Sequence, residues 1–118
     1  MSASVRSNGD GTWTITIGDN TTGGSFTTVQ AYSGPQTSAE WVEEAPTVGG
    51  RIATLAHYSS PQAFDPGTVN GASPNLTAAD GGDMIQGGKV VSIPSIPDSD
   101  SDGFNVAYGA RAPSPPAS

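Results

Sequence analysis

The residues best placed to do chemistry stand in TSAEWVEEAP, positions 37–46. Glu40, Glu43 and Glu44 surround Trp41 and Val42, and Pro46 closes the stretch. The segment alternates as a β-strand does. Glu40, Val42 and Glu44 share one face, and Ala39, Trp41 and Glu43 share the other. Trp41 then marks the core side and Glu40 the open side. Two readings follow. A solvated strand carries acids on its open face with no further role. Alternatively, a carboxylate is held rigidly on a sheet floor beside an indole that shields it from water. Such surroundings raise a carboxyl pKa and make a general acid or base.

A second acidic constellation is DSDSDGFN, from position 98. Asp98, Asp100, Asp102 and Gly103 have the spacing that opens a calcium loop. The twelfth position of such a loop is Gly109, where the bidentate acid belongs, and the flanks read as strands. The competing reading is a solvated acidic turn. His57 is the single histidine and reads as a surface or satisfied residue. With one histidine and no cysteine, a zinc cluster of the usual kind and any disulfide or thiol site are excluded. Asn20-Thr21-Thr22 and Asn75-Leu76-Thr77 are glycosylation sequons, relevant only in a glycosylating host.

The elements that hold these residues must be strands. The 118 residues allow one domain, and only 34% are hydrophobic, so the core is modest. Sixteen glycines and ten prolines break the chain often. No window sustains a 3.6-residue apolar period, and short alternating segments lie between turn signals. SASVRS, TWTITIG and SFTTVQAY read as an antiparallel meander turned by NGDG (8–11) and DNTTGG (19–24). TWTITIG puts Trp13, Ile15 and Ile17 on one face and a row of threonines on the other. RIATLAHY (51–58) is a further strand. Positions 59–82 are loop-rich, and MIQGGKVVSI (84–93) with GFNVAYG (103–109) form a closing pair of strands. The expectation is an all-β, antiparallel β-sandwich over residues 1–109, with too few strands for closure, and a disordered proline-rich tail over 110–118.

The formal charge of −7, from four basic and eleven acidic residues, argues against nucleic acid and anionic membranes as partners. No apolar stretch is long enough to span a bilayer, and Met1 opens no signal peptide. In strong acid the carboxylates become neutral and few charges remain. Charge repulsion then stays small, which suits an acidic environment.

TSAEWVEEAP resembles the Ala-Glu-(Trp/Phe)-Ile-x-Glu signature of the glutamic peptidases, the eqolisins. GTWTITIGDNTTGGSFTT before it, GGRIATLAHY after it and MIQGGKVVSIPSIPDSDSDGFNVAYG near the end are similar to the family's flanking strands. The resemblance implies a β-sandwich of two large antiparallel sheets and an endopeptidase active in acid, secreted, with a polypeptide substrate and no metal or organic cofactor. It makes Glu40 the catalytic general base and places Glu44 and Trp41 in substrate binding. It also implies a glutamine that stabilises the oxyanion, carried in an N-terminal half that has no counterpart here. Gln36, four residues before Glu40, would lie about 13 Å away on a regular strand. The missing half, or self-association, is therefore an expected partner, and this chain by itself is expected to be inactive or very weak. Glu43 stands where the family has an apolar residue. The alternative is a noncatalytic β-sandwich module for binding or adhesion.

Overall fold

The computed structural model describes residues 1–118. It is all-β and antiparallel. Its one helical piece is a 3-10 turn, Ala78–Asp80, and no helix is long and apolar enough to cross a membrane. The chain divides into two compact units, Met1–Ser38 and Ala39–Ser118.

The first unit is a three-stranded meander, β1 (Ser2–Ser7), β2 (Thr12–Gly18) and β3 (Ser25–Ala31). Pairing is continuous, from Ser2↔Gly18 to Ser7↔Trp13 and from Thr12↔Ala31 to Gly18↔Ser25. The alternation seen in the sequence is what allows this, because every residue along β2 finds a partner on each side. The turns carry their own chemistry. In 8–11, Gly9 and Gly11 take φ of +82° and +84°, which glycine reaches without steric cost. The Asp10 carboxylate accepts from the Thr12 amide (2.9 Å) and hydroxyl (2.6 Å). Asp19 does the same for the amide of Thr21 (2.8 Å) and the hydroxyl of Thr22 (2.7 Å). These bonds hold both carboxyls below the ordinary carboxylate range, the threonine hydroxyl bond being the larger cause.

Opposed residues share a face, so Ala3, Val5, Trp13, Ile15, Ile17 and Phe26 form one apolar surface. That surface is open: Ile17 is 43% exposed and Phe26 64%. The threonine row is the better-covered side of β2, and Thr16 and Thr27 hydrogen-bond across the strands at 3.1 Å.

The second unit begins with an extended segment that pairs with no strand. Residues 37–46 were expected as a strand and form none. The alternation survives nonetheless: Trp41, Glu43 and Ala45 are half-buried, and Glu40, Val42 and Glu44 are exposed. A minimal hairpin follows, β4 (Thr47–Val48) and β5 (Arg51–Ile52). It turns on Gly49-Gly50, both at positive φ, the pattern of a type I′ turn. The strand expected over 51–58 ends at Ile52, because residues 53–58 find no strand partner.

The main sheet has the order β6-β9-β8-β7, from β6 (Gln62–Phe64), β7 (Met84–Gln86), β8 (Lys89–Pro94) and β9 (Phe104–Tyr108). Residues 84–93 were read as one strand. They are two, because Gly87 and Gly88 both adopt positive φ and reverse the chain. The expected closing pair is present as β8 and β9, paired from Ser92↔Tyr108 to Pro94↔Val106.

One face of this sheet carries the core. Val106 and Leu55 are 6% and 4% exposed. Burying such a side chain contributes about 1.5–3 kcal/mol. Phe64 stacks on Phe104 at 5.2 Å, and Tyr58 meets Tyr108 edge-on at 5.9 Å. Buried polar groups are tied by hydrogen bonds, as burial demands. Ser92 Oγ bonds the Tyr58 hydroxyl at 2.8 Å, and Ser95 Oγ receives the Asn105 amide at 3.0 Å. Asn105 Nδ2 donates to the Ser114 carbonyl at 2.9 Å, and Pro113 and Pro116 are half-buried.

Candidate functional site

Glu40 is exposed at the start of the second unit, next to Trp41, whose indole is half-buried. A packing contact explains the indole's position. A Cβ placed on Gly67 would stand 3.3 Å from Trp41 Cζ2 and 3.5 Å from Cε2, so the glycine leaves the ring room. Gly67 is buried, and its amide donates to the Asp102 carbonyl at 2.7 Å. Trp41 is thus packed on the loop after β6, and Glu40 and Val42 on either side of it are exposed. A single carboxylate so placed can take or give a proton to a bound water or substrate, provided a second group carries the developing oxyanion.

Glu44 lies on the exposed side with Glu40. It lines an open hollow of about 560 Å³ together with Ile52, Met84, Ile85 and Gln86. Glu43 is half-buried on the side of Trp41.

The glutamines have other work. Gln86 accepts the Leu55 amide through Oε1 at 3.1 Å and donates through Nε2 to the Ala53 carbonyl at 2.9 Å. It pins the unpaired segment 53–55 in place of strand pairing, a role that its isolated position in the sequence did not signal. Gln62 donates to the Ser60 carbonyl at 3.0 Å and Gln30 to Thr28 Oγ1 at 3.0 Å. Gln36 sits at a φ of +54°, which ends any regular strand leading to Glu40. His57 is exposed, with its ring edge-on to Tyr108 at 4.4 Å, in agreement with a surface histidine.

The acidic turn is more elaborate than its spacing suggested. Asp98 is 7% exposed. Its Oδ1 accepts the amides of Asp102 (3.1 Å) and Gly103 (3.2 Å), and its own amide donates to the Gly103 carbonyl at 3.0 Å. Ser101 takes a left-handed φ of +63° to close the loop. Asp100, the middle acid of the expected calcium set, is exposed and stands outside the cluster that forms. In its place comes Asp65, from the loop after β6: oxygens of Asp65, Asp98 and Asp102 lie within 4.8 Å of one another. Asp65 is 33 positions before Asp98, and no local spacing could have found it. Burial, and after it the charges of Asp100, Asp98 and Asp65, hold the Asp102 carboxyl above its ordinary range.

No family model matches the sequence, and no curated protein matches it. Among solved structures the chain is similar to aspergilloglutamic peptidase from Aspergillus niger. The TM-score is 0.69 over 91% of this chain, at 22% sequence identity. The chain spans 64% of the length of that peptidase. An alignment so extensive, on an antiparallel all-β chain, shows that this chain has the fold of a part of that peptidase.

Proposed function

We propose that this chain is part of an acid-acting glutamic endopeptidase, a secreted hydrolase of polypeptides, with Glu40 as its general base. The observation that carries the reading is the disposition of AEWVEE. Trp41 is packed against Gly67 while Glu40 stands free on the opposite side, within a chain whose fold is that of a glutamic peptidase. Glu40 would take a proton from a water as it attacks the peptide carbonyl, then return it to the departing amine. Glu44 would receive the substrate at the rim of the hollow. The oxyanion needs an amide donor. The side chains of Gln30, Gln62 and Gln86 are spent on local bonds, which supports a donor from outside these residues. The chain alone is then inactive or very weak, since loss of one oxyanion donor costs about 10²–10³ in rate.

The test uses a denatured protein substrate at acid pH. The chain alone gives no appreciable turnover. Supplying a glutamine-bearing N-terminal half of a glutamic peptidase, as a fusion or second chain, restores it. In the restored protein Glu40→Gln removes nearly all turnover without changing the fold, and Glu44→Gln raises KM more than it lowers kcat. Robust turnover by the chain alone that Glu40→Gln abolishes would overturn the need for a partner. Full activity of Glu40→Gln would remove Glu40 from the chemistry.

A further inference from the structure

The buried end of the Asp98 side chain has no use in the fold. Oδ1 closes the 98–103 loop, but Oδ2 is buried without a hydrogen-bond partner. A carboxylate oxygen left so is costly unless something binds it. It faces other carboxylates: a Cβ on Gly103 would lie 2.5 Å from Asp98 Oδ2 and 2.6 Å from Asp65 Oδ1. Both oxygens therefore border the one space that the glycine leaves open. Asp102, half-buried, completes the group, and Asp65 is exposed.

We propose that Asp65, Asp98 and Asp102 bind a hard divalent cation of the calcium class. All three ligands are carboxylate oxygens, which hard cations prefer and zinc and copper do not require. At calcium's bond lengths of about 2.3–2.6 Å, ligands on opposite sides of the ion stand up to about 5 Å apart, so a spread within 4.8 Å fits. Magnesium, at about 2.0–2.1 Å, holds its ligands within about 4.2 Å and demands stricter geometry. Asp98 binds through Oδ2 alone, because Oδ1 is held by two amides. The exposed side, at Asp65, leaves room for waters to fill the remaining positions. The ion would join the loop after β6 to the turn between β8 and β9, and it would cancel the mutual repulsion that helps to hold the Asp102 carboxyl up. Three monodentate acids and water make a site of modest affinity, with a Kd on the order of 10⁻⁴–10⁻³ M. The site does not depend on Glu40 being catalytic.

The full chain, stripped of metal with a chelator, is titrated at about pH 7, where carboxylates are ionised. Terbium serves as a probe because Trp41, packed at Gly67, is close enough to sensitise it. The expected result is saturable terbium luminescence that calcium displaces and magnesium displaces poorly. Saturating calcium raises Tm by about 5 °C or more. Asp65→Asn weakens calcium binding at least about tenfold, and Asp100→Asn, which removes a neighbouring charge but no ligand, weakens it distinctly less. Asp98→Asn abolishes binding where the variant folds; exposed Asp65 decides the matter where it does not. Absence of both a saturable terbium signal and a calcium-dependent Tm in the wild type would overturn the site. So would an Asp65→Asn variant that binds calcium as the wild type does.

Discussion

In β1–β3 every strand residue has a cross-strand partner, yet none of the twenty is buried. In the second unit the strands are short, a bulge interrupts β7 and β8, and long segments such as 39–46 and 53–61 lie in no strand. All the buried residues are nevertheless there: Leu55 and Val106, with Ser92, Ser95 and Asp98 among the polar ones. Regular pairing and core formation are thus separate achievements. The meander is held by its ladder and its capped turns. The second unit is held by a small apolar centre and by side chains that satisfy backbone groups where strand pairing stops, as Gln86 does for 53–55.

Truncation should separate the two regimes most strongly. Leu55→Ala should cost about 2–4 kcal/mol, as a buried leucine does. Phe26→Ala, although it removes more atoms, should cost under about 1 kcal/mol, because Phe26 is 64% exposed. Chemical denaturation measures both. The same Phe26 variant should bind less hydrophobic dye, since the open face of β1–β3 is the surface on which dye collects. A Phe26→Ala cost equal to that of Leu55→Ala would show that the meander has a core.

Gly103→Ala should come next, at about 1–3 kcal/mol. The new methyl would stand 2.8 Å from Asp65 Cβ and within 2.6 Å of two carboxylate oxygens. Hydrogen exchange should show the loss in the amides of β6 and β9 and none in β2 and β3. Loss spread evenly over both units would mean that they unfold as one.

The smallest effect belongs to the turns of the meander. The Asp19 carboxyl is held below its ordinary value by its bonds to Thr22 and Thr21. A lowered folded-state pKa contributes stability that is present above the ordinary carboxylate pKa and lost as pH falls through the lowered one. Amides of the 19–24 turn should therefore lose protection at the acid end of that range while those of β9 do not. Asn in place of Asp19 should weaken the turn slightly at neutral pH and make its protection independent of pH.

Much of this was legible beforehand, and the particular residues show why. Local geometry is written in local sequence. TWTITIG with NGDG and DNTTGG determined β1–β3 and their turns, because period-two alternation and glycine at positive φ act over neighbouring residues. The same period placed Trp41 inward and Glu40 outward, even though the segment pairs with no strand. A resemblance in AEWVEE pointed to the fold that the structural likeness bears out. Tertiary structure decided the rest. It ended the strand of 51–58 at Ile52, since a strand exists only where a neighbour offers hydrogen bonds; the split of 84–93 at Gly87-Gly88, by contrast, is a local hairpin turn. Tertiary structure assigned Gln86 to the backbone of 53–55 and exchanged Asp100 for Asp65 beside Asp98. Each of these depends on residues distant in the chain, whose approach is set by packing and not by spacing.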